Sequence, residues 1–193
     1  MRIITGRAKG TKLKVPKGLD VRPTADRVKE SLFNILEILN IGQFEGILTD
    51  SHVLDLFAGT GNLGLEALSR GAEYALFVDN NPASLAVVKE NIALTKLSDY
   101  SETMHREALK TLDKLLNIGK TFDMIFVDPP YNRGLVNKVL RKLDSIAVLR
   151  EGGVIVVEHS KHEPVEAIWD NLELLRAERF GETSISLLFK PKK

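Results

Sequence analysis

The chain predicts an α/β fold: a mixed seven-stranded sheet with a small β-hairpin and helix extension at the N-terminus. Three observations lead there. From residue 53 onward, short apolar runs alternate with amphipathic stretches, a β-α-β-α rhythm that implies parallel strands joined by right-handed crossovers. The first of those strands opens into a glycine-rich turn, Ala58-Gly59-Thr60-Gly61-Asn62-Leu63-Gly64. The last two apolar runs, Leu172–Phe180 and Ser184–Lys190, are joined only by Gly181-Glu182-Thr183. That link is too short for a crossover, so the pair forms an antiparallel hairpin.

The elements follow in order. Residues 1–20 alternate loosely through Ile3-Ile4, Leu13 and Val15, punctuated by Gly6, Gly10, Pro16 and Gly18, and read as a hairpin or extended arm. A helix opens at Pro23-Thr24, with Thr24 as N-cap, Asp26 in the first turn and an apolar stripe of Val28, Leu32, Ile35, Leu36 and Leu39. Gly42 and Gly46 lie in a connection, which divides a basic arm and helix (1–46) from a main domain (47–193). Strands are predicted at Val53–Phe57, Tyr74–Asp79, Glu102–Arg106, Phe122–Asp128 and Val154–Glu158, and helices at about 62–70, 82–96, 108–117 and 134–147. Trp169, the sole tryptophan, falls in a stretch read as helical, where core packing explains it best; His159, just after the fifth strand, reads as structural or surface.

Composition bounds the function. At 193 residues, 44% hydrophobic and 27% charged, the chain suits one well-buried α/β domain. It has no cysteine, which removes disulfides, thiolate zinc sites and cysteine nucleophiles and fits a reducing cytoplasm. Its four histidines lack metal-ligand spacing, so no metal is expected. No apolar run approaches bilayer length and no secretory signal is legible at the N-terminus, so a cytoplasmic protein without membrane contact is expected, and a monomer. Charge is segregated: residues 1–30 hold nine Lys/Arg against three acidic residues, whereas the remainder holds 18 basic and 23 acidic. Such a basic end points to an anionic partner, with Arg7, Lys9, Lys12, Arg22, Thr24 and Arg27 as candidate nucleic-acid contacts; a lysine-rich solubilising hairpin is the alternative. If the arm serves RNA alone, the core folds and binds its ligands without residues 1–20.

The tetrapeptide Asp128-Pro129-Pro130-Tyr131 follows the apolar run 122–127. Two prolines cannot donate to a ladder or continue the strand, and the second holds the first extended. The result is a rigid turn at the carboxyl end of a strand, where open α/β sheets bind ligands. It presents a carboxylate, a fixed carbonyl and an aromatic ring. Those groups suit a flat heterocycle with an exocyclic amine: carboxylate and carbonyl each accept one amino hydrogen, and the ring stacks on the base.

The glycine-rich turn matches G-x-G-x-x-G, and Asp79, twenty residues after Gly59, ends the next strand. By spacing alone this is a dinucleotide fingerprint. Two features argue against NAD. Asp55, two residues before the predicted end of the first strand, would repel a pyrophosphate yet pair with an amino-acid ammonium group. Asp128-Pro129-Pro130-Tyr131 has no role in hydride transfer.

The pattern D-x-F-x-G-x-G followed by an acid at the next strand end resembles Rossmann-like S-adenosylmethionine methyltransferases of class I over about residues 53–190. The match extends further. R-I-I-T-G-R-A-K-G at the start, R-P-T-A-D-R-V-K-E-S-L-F-N-I-L at 22–36 and D-L-F-A-G-T-G-N-L-G-L-E-A-L-S-R-G-A at 55–72 resemble the RsmD family, bacterial 16S ribosomal RNA guanine-N2 methyltransferases. The resemblance implies S-adenosylmethionine as cofactor and 16S rRNA or the small ribosomal subunit as partner. It implies that Asp55, Phe57, Ala58, Gly59, Thr60 and Gly61 line the methionine part, that Asp79 accepts both ribose hydroxyls, and that Asn80 borders the adenine. Glu107, with Ala108, is the nearest candidate for the adenine amino group, although a glutamate at a helix N-terminus is also favourable for structural reasons. Thr24 and Arg27 reach either the cofactor carboxylate or an RNA phosphate. Asp128, Pro129, Pro130 and Tyr131 form the implied catalytic motif. The same four residues occur in DNA adenine-N6 methylases, so the motif fixes an amino target but not the base, and a non-catalytic RNA-binding module on this fold is a further alternative.

Overall fold

The computed structural model describes residues 1–16, 24–39, 47–131 and 133–192. After α1 (Thr24–Ile38) come β1 (His52–Asp55), α2 (Asn62–Ser69), β2 (Tyr74–Asp79), α3 (Pro82–Thr95), β3 (Ser101–His105), α4 (Ala108–Asn117), β4 (Phe122–Val127), α5 (Leu135–Ser145), β5 (Leu149–Ser160), β6 (Glu173–Phe180) and β7 (Thr183–Phe189). They build one seven-stranded sheet in the order β3-β2-β1-β4-β5-β7-β6. β1 pairs in parallel with β2 on one side and β4 on the other, so the direction of winding reverses between β1 and β4. β7 runs antiparallel to both β5 and β6. The predicted mixed sheet is therefore present, with strand ends displaced by at most two residues except at the start of β5.

The strands alternate cleanly between two apolar layers. Val53, Ala75, Phe77, Met124, Phe126, Val154 and Val156 join α1, α2, α3 and the N-terminal arm on one face. Leu54, Leu76, Val78, Ile125, Val127, Ile155 and Val157 join α4 and α5 on the other. This period of two is why the central strands read as continuous apolar runs: both faces are covered.

Three readings change. Asp55 is the last residue of β1, not two residues inside it. β5 begins at Leu149 rather than Val154, because Gly152-Gly153 continues the strand instead of turning it. A Cβ on Gly153 would lie 2.7 Å from Leu149 Cδ1 and 2.9 Å from the Asp123 carbonyl. No helix forms around Trp169. There the backbone amides of Glu166, Asp170 and Asn171 bond to side chains of α5, Asn137 and Asp144, in place of a helical ladder. Trp169 still packs against the α4–α5 layer, and its Nε1 donates to the Glu166 carbonyl. His159 lies within β5, buried, with Nε2 2.9 Å from Ser186 Oγ, a structural role.

The basic arm is built into the domain. Ile3 and Leu13 are buried in the same layer as α2. Gly6 has φ +85°, and a Cβ there would lie 1.8 Å from the Ser69 carbonyl oxygen. Glu66, wholly buried on α2, accepts from the amides of Ile4 (2.9 Å) and Thr5 (3.1 Å) and from Arg70 Nε (2.9 Å), and pairs with Lys29 Nζ at 2.9 Å. Burial pushes the Glu66 carboxyl up, but Lys29, the Ile4 amide and Arg70 together outweigh it and hold the group below its ordinary value. Burial moves Lys29 the other way from its partner's pull: desolvation dominates, and its pKa falls. This carboxylate thus fastens the arm, α1 and α2 together.

Candidate active site

Four adjacent parallel strands end in carboxylates. Asp55 closes β1, Asp79 closes β2, Asp128 directly follows β4, and Glu158 lies near the end of β5. By alternation all four belong to the face that carries Val53, Phe77, Phe126 and Val156, the side covered by α1 and α2. Two adjoining cavities open there. One, of about 470 Å³, is walled by Val28, Lys29 and Leu32 of α1, by Asp55 and the 57–60 loop, by Asp128, Tyr131 and Glu158, and by the β6–β7 turn from Phe180 to Thr183. The other, of about 400 Å³, is bounded by Phe57, Gly59, Asp79, Asn80 and the Asp128–Tyr131 turn. Phe57, Gly59, Asp128 and Tyr131 belong to both.

The loop between them is held by the acids themselves. Asp79 Oδ2 accepts from the Gly59 amide at 2.9 Å, and its Oδ1 from the Asn81 amide at 2.8 Å. Asp55 Oδ2 accepts from the Gly64 amide at 3.1 Å. Gly61, the N-cap of α2, sits in the left-handed region at φ +78°. A Cβ on Gly64 would lie 2.4 Å from Phe77 Cε1, so glycine is what lets α2 approach the sheet. Asn91 of α3 reaches across to the Thr60 carbonyl at 2.9 Å. Lys29 donates to Asn62 Oδ1 at 2.7 Å and to the Arg2 carbonyl at 2.6 Å, which ties α1 to the start of α2.

Electrostatically the site is short of positive charge. Burial pushes the Asp55 carboxyl up to about 7; the Gly64 amide opposes this and Asp79 adds to it. Burial also drives Asp128 well above the usual carboxylate range, reinforced by Glu158 and then Asp55. Glu158 is raised by burial, against the pull of the Tyr131 hydroxyl and His159. Among the described residues, no side-chain hydrogen bond satisfies Asp128. Tyr131 is 39% exposed, and its hydroxyl donates to Glu158 Oε1 at 2.9 Å and lies 3.1 Å from Thr183 Oγ1. A cavity wall of buried acids with raised pKa values matches a cationic, amine-bearing ligand, which would return the charge that desolvation opposes.

Most of the sequence-assigned residues come together here: Asp55, Phe57, Ala58, Gly59, Thr60, Asp79, Asn80, Asp128, Pro129, Pro130 and Tyr131 all line one or both cavities. Gly61 shapes the loop from behind. Glu107 and Ala108 line neither cavity. Glu107 is the exposed N-cap of α4, paired with Lys110 at 3.2 Å, and Ala108 is buried against the sheet, which is the structural role of a helix start. Arg7 is committed to the fold: Nε donates to the Leu68 carbonyl (3.0 Å), Nη2 to the Ala72 carbonyl (3.1 Å), and the guanidinium lies 4.2 Å from the Tyr100 ring centre. Lys9, Lys12 and Arg27 are exposed. Arg22 lies outside the described residues, as does the side chain of Thr24, which heads α1. α5 is capped by Gly134. The sequence reading missed Glu158, Lys29, Asn62 and Thr183. Glu158 alone had a signal, as the acid nearest the end of the fifth apolar run.

This sheet order, with its switch point between β1 and β4 and its terminal antiparallel hairpin, is the fold of the class I methyltransferases. The solved structure of yhhF from Escherichia coli superposes with a TM-score of 0.84 at 33% identity, covering 100% of this chain and 99% of that one. A family model described as Conserved hypothetical protein 95 matches residues 1–189. Ribosomal RNA small subunit methyltransferase D of Escherichia coli is 33% identical over 187 residues, 97% of this chain and 88% of the relative. The Haemophilus influenzae protein of the same name is 34% identical over 188 residues, 97% of this chain and 92% of the relative. The chain belongs to the RsmD family.

Proposed function

We propose that this protein transfers a methyl group from S-adenosylmethionine to the exocyclic N2 amine of a guanine in 16S ribosomal RNA. The observation that carries the reading is the joining of the two cavities through Gly59, Asp128 and Tyr131. A cofactor held at the β1 and β2 ends therefore meets a base held at the Asp128–Tyr131 turn. The names of the Escherichia coli and Haemophilus influenzae relatives support ribosomal RNA of the small subunit as the substrate.

The residues fit the cofactor. Asp79 accepts the ribose hydroxyls with the lone pairs left after Gly59 and Asn81. Asp55, desolvated and raised to about 7, accepts the methionine ammonium. S-adenosylmethionine, when bound, supplies a sulfonium-activated methyl group. The protein's part is alignment: Asp128 and the Pro129 carbonyl accept the two amine hydrogens, which favours a pyramidal nitrogen with its lone pair directed at the methyl carbon. The raised pKa of Asp128 suits it to take up the proton that the methylated amine loses. Tyr131, anchored through its hydroxyl, offers its ring to a base extruded from its stack.

The test is transfer of labelled methyl from S-adenosylmethionine to undermodified small subunits, with large subunits and duplex DNA as controls. Label in small subunits alone supports the reading; equal label in DNA contradicts it. Asp79→Ala loses acceptors for both the ribose and the Gly59 amide. Its calorimetric affinity for S-adenosylhomocysteine is expected to fall on the order of 10- to 100-fold, the scale of one or two hydrogen bonds to a charged group. Unchanged affinity in the folded variant would remove Asp79 from the cofactor site.

A further inference from the structure

Glu158 stands beside the catalytic turn. Val127 and Val157 are register partners in the parallel β4–β5 pair, whose strands lie roughly 4.8 Å apart across the sheet, and Asp128 and Glu158 are the residues that directly follow them. Both line the larger cavity. One oxygen of Glu158 is occupied: Oε1 accepts from the Tyr131 hydroxyl, which Thr183 also fixes. Oε2 has no hydrogen-bond partner among the described residues. The site thus holds one more acceptor than an amine with two hydrogens requires, placed next to the acceptors proposed for that amine.

We propose that Glu158 selects guanine by accepting the ring N1–H that adjoins the N2 amine. The assignment rests on the guanine-N2 reading above and adds to it the residue that distinguishes the base. In guanine the ring nitrogen beside the amine is a donor. In adenine the ring nitrogen beside the N6 amine is an acceptor, and a carboxylate facing it sets lone pair against lone pair without a hydrogen bond. The Asp128-Pro129-Pro130-Tyr131 motif by itself recognises only an amine and a flat ring, so it needs such a neighbour to separate the two purines. The Tyr131 hydroxyl favours the ionised, accepting form of Glu158 against the desolvation that raises it. A guanine N1–H adds a second donor to the same carboxylate. The hydrogen bond to Tyr131 also couples the edge contact to the stacking ring.

The experiment uses small subunits reconstituted with 16S rRNA carrying guanosine or 2,6-diaminopurine riboside at the modified position, located beforehand by mapping. Diaminopurine keeps the N2 amine and replaces the N1–H by an acceptor. The wild-type protein is expected to favour guanosine in kcat/KM by at least about tenfold, the order of one well-made base contact. Glu158→Gln keeps an acceptor for Tyr131 and offers an amide donor to the altered ring nitrogen, so the preference is expected to shrink to within about threefold with cofactor affinity unchanged. Equal use of both subunits by the wild-type protein overturns the assignment. A Glu158→Gln protein that retains the full preference also overturns it, and leaves Glu158 as a tether for Tyr131. Methyl recovered on adenine from unsubstituted subunits would instead sink the guanine reading, and this inference with it.

Discussion

Asp128→Ala is expected to bind S-adenosylhomocysteine with the affinity of the wild-type protein and to lose methyl transfer by a factor on the order of 10²–10³, the scale of removing one preorganised acceptor or donor at a reacting group. The two halves of this expectation have separate origins. On the proposed assignment, cofactor affinity rests mainly on Asp55, Asp79 and the 59–61 loop, whose hydrogen bonds do not involve Asp128. The transfer step rests on the carboxylate that takes an amine hydrogen, and Asp128 has no other side-chain hydrogen bond to lose among the described residues. The substitution also relieves repulsion, because burial, Glu158 and Asp55 all raise the pKa of Asp128, so the variant is expected to fold at least as stably. The decisive measurement is single-turnover transfer to small subunits beside calorimetry on the same sample. Wild-type turnover would reduce the motif to a strand terminator.

The second large effect concerns stability. Glu66→Ala is expected to cost about 3–5 kcal/mol in urea unfolding, the range for removing one partner of a buried ion pair. It leaves the buried Lys29 charge without its ion-pair partner, removes one of the two carboxylates that Arg70 pairs with, and leaves the Ile4 and Thr5 amides without their acceptor. That is a large share of the roughly 5–15 kcal/mol by which a domain is stable. Deleting residues 1–20 acts on the same structure and also uncovers the layer that Ile3 and Leu13 bury. The deletion is therefore expected to lower stability, and cofactor binding with it, which reverses the expectation that the core stands alone. An unchanged unfolding midpoint in Glu66→Ala would mean that the arm is only loosely attached. The arm's RNA contribution is better isolated by replacing exposed Lys9 and Lys12, which leaves the anchoring contacts intact.

What was legible in the sequence was local. Short continuous apolar runs gave the strands, and their ends gave Asp55, Asp79 and Asp128 as acids facing one crevice. Those features need only a few neighbouring residues. What was not legible depends on partners far along the chain. Arg7 is a phosphate contact by charge alone, and becomes structural only because the carbonyls of Leu68 and Ala72, some sixty residues on, lie beside it. Lys29 counts as surface charge until Glu66 is placed against it. Glu158 ended a recognisable strand, but its value comes from the Val127–Val157 register and the Tyr131 hydroxyl, neither of which a linear pattern states. The stretch before β6 resembled a helix because its amide partners, Asn137 and Asp144, sit on another element.

On the proposed reading, the Asp128–Tyr131 turn, flanked by Glu158, presents a guanine amine to a methyl donor held at the β1 and β2 ends. That reading is tested most directly by digesting 16S rRNA from undermodified small subunits after reaction with isotopically labelled S-adenosylmethionine and identifying the labelled nucleoside by mass spectrometry. The expected result is a single labelled product, N2-methylguanosine, absent from reactions with Asp128→Ala. Label recovered as N6-methyladenosine, as a ring-methylated base or as 2′-O-methylribose would contradict it.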